Sequence, residues 1–478
     1  MAITLLSKPV NYARVYDTNR MTYSFTSDHA TGATAKSNFQ YQFILKKQNF
    51  DGTQTIIGSF NLFPLADGTV QFNPSTVYRN YLTYDFNAST TTLEECTLGS
   101  GLFNLSVYEF YSDPVGSAPK QMPTSAGGGQ WPKNGSVENL EVYNACQQNI
   151  PYDYVALNAK SNALWVMSGS TSGRYLTDAT EYHLDNDDMA FLYFMAPNGL
   201  RPITIRYTIY YWGTIKGIDP TDYLGMNTNL NYSEKLDPPL PRGTNINLDD
   251  GGVPLDPPAK SGITSAVENV SISYTNNNVF EYYFPIGPYQ LTKYGTQFFT
   301  GYTNTWAYYK IDLMSGTTVM NVKPFYVYKK NNCEKYGKWR LFWLNPHGGW
   351  DTYTFDRKND TNYKIKRTTY QQKLPQTSQY TFSPYDAGEK VFNVNVEEVI
   401  TLRTTTLTQK ESQLLIQLAQ SPKVYVIYIY TYSGAEYPYG VPYIVNTDSI
   451  RYEKKVNSKE ITMEIELRAA NPKIIQKD

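Results

Sequence analysis

The hydrophobic and polar positions of this chain alternate in short runs, which predict β-strands. The densest run lies in residues 333–355, where Trp339, Leu341 and Trp343 fall on one face of an extended chain and large apolar side chains also occupy the other face. A strand that is apolar on both faces is expected to be buried. Residues 345–349 (NPHGG) then break the pattern, because proline lacks an N–H donor and glycine tolerates positive φ. We therefore predict a buried hairpin with a structural role.

Similar short runs fill the N-terminal part, and their spacing is typical of a β-sandwich of about seven strands over residues 1–112. In residues 101–111, Glu109 follows Phe103, Leu105 and Val107 on one face, which predicts a bulge or twist near Glu109. The other predicted strands of this part are residues 22–26, 39–45, 55–60, 69–72 and 81–86.

Two segments rich in proline and glycine separate the predicted strand regions. Residues 113–136 form a predicted loop or arm, and residues 236–262 form a predicted linker that marks the best domain boundary. Between them lies a second β region over residues 137–235, either separate from the first domain or continuous with it. The predicted strands of this region are residues 154–157, 163–167, 190–195 and 203–212.

The third predicted region, residues 263–478, is rich in β-strands and contains one clear helix over residues 409–421. Thr408 and Glu411 form a capping-box pattern at its start, and Pro422 follows its end. Residues 424–430 and 461–467 then read as strands, so the helix is expected to pack on a sheet. The predicted fold class is mainly β, with two or three sandwich-like or barrel-like domains.

The composition argues against nucleic-acid or membrane partners. The chain has 478 residues with 42 Lys and Arg against 43 Asp and Glu, so no strong basic surface is expected for nucleic acid or anionic lipid. No apolar run approaches the roughly 18 residues of a membrane-spanning helix or the core of a signal peptide. We therefore expect a soluble protein made in a cytosol. The 44 tyrosines are typical of half-buried sheets and protein interfaces.

The sequence carries no recognisable catalytic, cofactor-binding or metal-binding motif. Its three cysteines and three histidines are far apart, and the common hydrolase and nucleotide-binding patterns are absent. Residues 185–188 beside His183 could hold a hard cation, although a solvated acidic turn is the simpler interpretation. A pair of glycosidase carboxylates stays open, because such a pair is defined by distance in space.

Two segments are predicted to bind partners. The arm of residues 112–136 carries Trp131 as a candidate anchor, since large aromatic side chains often dominate interfaces. The tyrosine-rich residues 428–443 carry four further candidates, whose rings combine contact area with a hydroxyl. The alternative is that both segments are solvent-exposed loops. The four tyrosine candidates are Tyr430, Tyr432, Tyr437 and Tyr439.

The C-terminal half resembles structural proteins of short-tailed bacteriophages that infect Bacteroidetes, the crAss-like group among them. The resemblance lies in RLFWLNPHGGWDTYTF at residues 340–355, in LTQKESQLLIQLAQSPKVYV at residues 407–426 and in IRYEKKVNSKEITMEIEL at residues 450–467; LLSKPVNYARVYDTNRMTYSF at the N-terminus is also similar. It implies a non-enzymatic hub, ring or connector component of the virion tail. It also implies assembly in the host cytoplasm as a ring, with copies of itself and other virion structural proteins as partners.

Two other functions remain open at this point. A tail-associated adhesin would use exposed aromatic side chains to bind a receptor or glycan on the host surface. A polysaccharide depolymerase would need two carboxylates converging in a cleft. The tyrosine-rich extension at residues 428–443 departs from the resembling proteins and leaves the position within the tail open.

Overall fold

The computed structural model describes residues 3–17, 21–49, 51–90, 92–122, 130–132, 138–146, 166–167, 173–197, 203–212, 263–271, 279–293, 306–330, 336–371, 389–446, 451–455, 460–471 and 473–474. In these ranges, strands greatly outnumber helices, and the predicted mainly β fold with several sheets is confirmed. The helices are α1 (Ser75–Arg79), α2 (Pro288–Lys293) and α3 (Gln409–Gln420), with a 3₁₀ turn at Gly32–Thr34.

The strands fall into an earlier and a later half of the chain. The first fourteen are β1 (Thr4–Ser7), β2 (Ala13–Arg14), β3 (Tyr23–Thr26), β4 (Gln40–Gln48), β5 (Gln54–Leu62), β6 (Thr69–Phe72), β7 (Glu94–Glu95), β8 (Ser100–Tyr111), β9 (Lys120–Gln121), β10 (Gln130–Trp131), β11 (Asn139–Tyr143), β12 (Glu181–Leu184), β13 (Phe191–Met195) and β14 (Ile203–Trp212). The later ones are β15 (Ile263–Ser271), β16 (Glu281–Pro285), β17 (Trp306–Ser315), β18 (Thr318–Val319), β19 (Phe325–Lys329), β20 (Trp339–Leu344), β21 (Trp350–Phe355), β22 (Asp360–Gln371), β23 (Glu389–Arg403), β24 (Val424–Tyr432), β25 (Ala435–Val445), β26 (Arg451–Lys455), β27 (Glu460–Ala469) and β28 (Lys473–Ile474).

The chain divides into two compact units. The first comprises Met1–Lys330 and Asn345–Asp351, and the second comprises Asn331–Leu344 and Thr352–Asp478. The first unit contains four sheets, with the strand orders β1-β3-β6, β2-β11-β8-β4-β5, β12-β19-β17-β14-β15 and β13-β16-β7; β9 and β10 join β8, and β18 joins β17.

The core of the first unit follows from the period of two in its strands. Tyr41, Phe43 and Leu45 of β4 are fully buried, while the alternate residues are partly exposed, as the sequence predicts. Their rings and methyl groups pack with Phe25 and Phe103 into one hydrophobic cluster. Burial of these aromatic side chains is the main stabilising contribution that the structure offers here.

Two predictions for the N-terminal strands are wrong. Pairing of β8 with β4 runs without a shift from Gln40 opposite Phe110 to Tyr41 opposite Glu109, so no bulge forms at Glu109. The carboxylate stays on the buried face because Ser27 and His29 hydrogen-bond to it. Residues 81–86 form turns and irregular chain instead of a strand. The predicted strand at residues 154–157 lies outside the described residues.

The predicted boundary at residues 236–262 does not divide the structure. That segment lies outside the described residues, but β14 before it and β15 after it pair from Thr204 opposite Ser271 to Trp212 opposite Ile263. Backbone hydrogen bonds between the two strands therefore join regions that the sequence assigned to different domains. The predicted strand at residues 203–212 is itself confirmed.

The second unit is built on one large sheet with the order β21-β20-β24-β25-β27-β23-β22. Helix α3 packs against β27, and its buried stripe consists of Leu414, Leu415 and Leu418. The capping box is present as predicted, since the Thr408 hydroxyl accepts from the Glu411 N–H and the Glu411 carboxylate accepts from the Thr408 N–H. The predicted helix is thus confirmed. The predicted hairpin is confirmed as well, because β20 and β21 are hydrogen-bonded neighbours in this sheet.

Candidate contact surface

Five tyrosines towards the tip of the β24–β25 hairpin share one face, and Tyr443, which pairs with Val424 at its base, lies on the same side. Tyr428 pairs with Tyr439 and Tyr430 pairs with Tyr437, while Tyr432 stands opposite Ala435 at the turn. Directly opposed residues of an antiparallel pair point to the same side, as do residues two apart along one strand. The five tyrosines therefore form a single surface, which we call the tyrosine face.

A two-residue turn fixes the register that assembles this surface. Ser433 has φ of 50° and Gly434 has φ of 80°, which is the positive region required at both central positions of a type I′ turn. Such a turn matches the twist of the strands it joins, so the pairing continues from Tyr432 to Val424 without a shift.

The outer part of the tyrosine face is open to solvent. The exposed fractions of its four outer side chains are 55% for Tyr430, 63% for Tyr432, 53% for Tyr437 and 47% for Tyr439. Within the face, the rings of Tyr430 and Tyr432 are near-parallel with centroids 6.4 Å apart. Partial burial raises the pKa of Tyr428 well above its usual value, so its hydroxyl stays neutral. The face thus presents amphipathic rings on paired strands.

The tyrosine face continues the core face of the sheet. Leu341 pairs with Val426 and Trp343 pairs with Val424, so these four side chains lie on the same side as Tyr428. All four are buried, and Leu341 and Trp343 are fully so. The same side of the sheet is therefore core at the base of the hairpin and open aromatic surface towards its tip.

A second pair of strands in the same sheet, β22 and β23, is also exposed. Strand β22 is an edge strand whose residues are exposed from Thr361 to Gln371, and the facing part of β23 is mostly exposed as well. Phe392 is 70% exposed, and Tyr363 and Ile365 are each about half exposed. We call residues 361–371 with 389–395 the basic ribbon, because they carry Lys364, Lys366, Arg367 and Lys390 against the single acid Glu389. At the base of the ribbon, Glu397 pairs opposite Lys364, so the excess of positive charge lies towards its outer end.

The tyrosine face and the basic ribbon project in the same direction. Strand β27 pairs antiparallel with β25 on one side and with β23 on the other. At the C-terminal end of β27, Ala469 pairs with Tyr443 and Arg468 pairs with Val399. The residues of β25 before Tyr443 and those of β23 before Val399 therefore lie beyond the end of β27. Both strands run antiparallel to β27, so their N-terminal parts extend past the same end of that strand. The tyrosine face and the basic ribbon lie on these two extensions.

Trp131 does not occupy the exposed position that a partner anchor needs. It pairs with Val107 of β8, is only 9% exposed and contacts the Phe25 ring edge-on at 5.2 Å between centroids. The indole therefore belongs to the core of the first unit, and its prediction as an anchor is corrected. Short strands β9 and β10 also tie the arm to β8, while residues 123–129 and 133–136 lie outside the described residues.

Hydrogen bonds within the acidic turn at residues 185–188, and one from Trp306, hold the turn in place. The Asp188 carboxylate accepts from the Asp185 N–H at 2.8 Å, and the Asn186 side chain accepts from the Trp306 indole at 2.8 Å. The His183 ring lies parallel to that of Tyr328 at 5.5 Å. No cluster of three or more potential metal ligands occurs in the part of the chain that the structure describes.

One polar cluster that the sequence does not reveal lies in the first unit. The carboxylate of Glu109, 1% exposed, accepts from the Ser27 hydroxyl at 2.5 Å and lies 2.9 Å from the His29 Nδ1. The serine thus hydrogen-bonds the carboxylate, whereas a nucleophilic serine needs the imidazole as its proton acceptor. In a single sequence, the only signal is a charged residue on the apolar face of β8.

A second buried carboxyl lies at the end of the NPHGG turn, in the first unit. One oxygen of Asp351 accepts from the Thr177 hydroxyl at 2.6 Å and from the Tyr182 hydroxyl at 2.8 Å. Burial raises the pKa of Asp351 to about 6, although these hydrogen bonds lower it. Asn345 organises the turn itself, since its side chain accepts from the N–H groups of His347 and Gly349. The cluster therefore stabilises a turn.

No helix in the described ranges has the length and apolar character of a membrane span.

Comparison with known proteins gives little similarity. No protein-family model and no curated protein match the chain. Among solved structures, one chain in the virion of a native gene transfer agent particle is 13% identical, covers 28% of the present chain and 91% of its own length, and has a TM-score of 0.18. A chain in the tail of an empty gene transfer agent particle of C6 symmetry is 11% identical, with coverages of 29% and 95% and a TM-score of 0.18. Scores this low do not establish a shared fold.

Proposed function

We propose that this chain is a non-enzymatic structural protein of a bacteriophage tail, which assembles as a multi-copy ring. Its partners are copies of itself and other structural proteins of the virion. The observation that carries the proposal is the second unit, where one sheet presents the tyrosine face and the basic ribbon to solvent. The resemblance of residues 340–355, 407–426 and 450–467 to structural proteins of short-tailed bacteriophages that infect Bacteroidetes, the crAss-like group among them, supports the same role.

Physical chemistry favours a contact role for these surfaces. Tyrosine is enriched in interfaces because each ring adds contact area and its hydroxyl can still hydrogen-bond. Here the strands and the type I′ turn have already ordered the backbone, so binding costs less conformational entropy than ordering a flexible loop. Several tyrosines side by side therefore make an efficient protein-binding surface.

A particle experiment tests the proposal. Virions of a phage that encodes this chain would be purified, the copy number of the chain quantified by mass spectrometry, and the tail reconstructed by electron cryomicroscopy. We expect several copies per particle, arranged around the tail axis. Absence of the chain from purified virions would overturn the proposal.

The enzymatic alternative has its own test. The purified chain would be incubated with capsular polysaccharides of the host, and new reducing ends would be measured. We expect none above the heat-denatured control. Reproducible cleavage that is lost when one Asp or Glu is replaced would identify a depolymerase instead.

A further inference from the structure

We infer that the tyrosine face of one copy docks against the basic ribbon of the next copy, in a head-to-tail contact. This inference rests on the proposed multi-copy assembly and names the surfaces that join its neighbours. Both surfaces belong to the second unit, so a single type of contact would repeat around a closed assembly.

The two surfaces can attract each other through cation–π contacts. The basic ribbon carries four cationic side chains, of which Lys364 faces Glu397, whereas the tyrosine face carries no charge, because Glu436 points to the other side of its hairpin. The faces of tyrosine rings are electron-rich and attract Lys and Arg side chains placed over them. Exposed Ile365 lies on the face of β22 that also carries Arg367, so it adds apolar area beside that charge. Cation–π contacts and apolar burial can therefore form together.

The same charges disfavour a contact between like surfaces. Two basic ribbons placed together would oppose their lysines and arginines, and like charges brought directly opposite each other destabilise strand contacts. A heterologous contact, in which different surfaces meet, avoids this repulsion. Such a contact closes into a ring when its rotation is a fraction of a full turn.

The direction in which the tyrosine face and the basic ribbon extend from the sheet is compatible with a head-to-tail contact. The tyrosine face and the basic ribbon leave the same end of the sheet, on opposite sides of β27. A rotation about an axis along that direction keeps every copy pointing the same way. It also brings the hairpin of one copy towards the ribbon of its neighbour. The fold thus places two different surfaces on opposite flanks, as a repeated head-to-tail contact requires.

Two surface variants of the full chain test the inference by complementation. The hairpin variant carries Tyr430→Ser and Tyr437→Ser, and the ribbon variant carries Lys366→Glu and Lys390→Glu, whose cross-strand partners Asn395 and Tyr370 carry no charge. Self-association is measured by analytical ultracentrifugation over a concentration series. We expect the wild-type chain to form higher oligomers and each variant to associate at least about tenfold more weakly.

The equimolar mixture of the two variants gives the sharpest result. The hairpin variant keeps an intact ribbon and the ribbon variant keeps an intact tyrosine face, so one productive contact is left. We expect heterodimers that grow no further. A contact between two tyrosine faces would instead let the ribbon variant associate with itself as the wild-type chain does, and would give no heterodimer, which would overturn the inference.

Matched controls separate surface effects from folding. Tyr81→Ser removes an exposed tyrosine of the first unit, and Lys410→Glu reverses an exposed charge on α3. Both should associate like the wild-type chain, and all variants should keep the wild-type thermal unfolding. Wild-type association by the surface variants, or a wild-type chain that stays monomeric throughout, would overturn the inference. So would a tyrosine face that binds host glycans or another virion protein in place of a second copy.

The outcome is separable from that of the proposed function. If virions contain several copies of the chain but the hairpin and ribbon variants incorporate normally, only the inferred contact fails. If virions lack the chain, the proposed function fails whatever the purified protein does in solution.

Discussion

Tyr430 and Tyr437 stand directly opposite each other in the β24–β25 hairpin, and each side chain is about half exposed. A cross-strand pair of this kind stabilises the hairpin while leaving one side of both rings in solvent. The same residues can therefore order the strands and form part of a contact surface. This dual position explains why tyrosine, with its apolar ring and polar hydroxyl, suits the site.

Trp343 is expected to be a principal determinant of stability in the second unit. Its side chain is fully buried, so Trp343→Ala should lower the free energy of unfolding by about 3–5 kcal/mol through lost burial and a cavity. Chemical denaturation followed by circular dichroism would measure the loss.

Trp343→Phe is the matched control for this change. The indole nitrogen of Trp343 is buried and makes no hydrogen bond in the described part of the chain, so phenylalanine removes no bond while keeping much of the ring. We expect a clearly smaller loss. Equal losses for Ala and Phe would contradict the assignment of Trp343 as a packing residue.

Trp131 is expected to contribute to the stability of the first unit. Because its ring packs on Phe25 and Tyr23, Trp131→Ala should lower the free energy of unfolding by about 3–5 kcal/mol. Thermal unfolding of the purified variant measures this effect without any partner present. Wild-type stability combined with failed incorporation into virions would instead restore the role of Trp131 as an exposed anchor.

Asp351 should make the stability of the first unit depend on pH. Burial raises its pKa from 3.8 to about 6, so between these values the native state holds a proton that the unfolded chain releases. The stabilising effect of this proton is complete below the lower value and is lost as the pH rises through about 6. A shift of about two units corresponds to roughly 3 kcal/mol.

Asp351→Asn isolates this contribution. The amide oxygen can accept from Thr177 and Tyr182 as the carboxylate does, but the side chain no longer titrates. Urea denaturation at about pH 5 and about pH 7.5 should show a smaller loss of stability for the variant than for the wild-type chain. An identical pH dependence in both proteins would exclude Asp351 as its source.

Local patterns were sufficient wherever neighbouring residues determine structure. Alternation predicted β4, β8, β14 and the β20–β21 hairpin, and the Thr408 capping pattern with Pro422 predicted helix α3. The bulge expected at Glu109 failed because the partners of its carboxylate, Ser27 and His29, are about eighty residues away. No local pattern signals a hydrogen bond between such distant residues.

The sequence by itself determined a mainly β protein and the helix with its cap, because period and capping chemistry act over a few residues. Only the tertiary structure decided that β14 and β15 share a sheet, that Trp131 is buried and that the tyrosines of β24 and β25 lie on one face. These features depend on strand register and on contacts between residues distant in sequence. The register and the distant contacts are set when whole strands pair, and the composition of a single strand does not determine either of them.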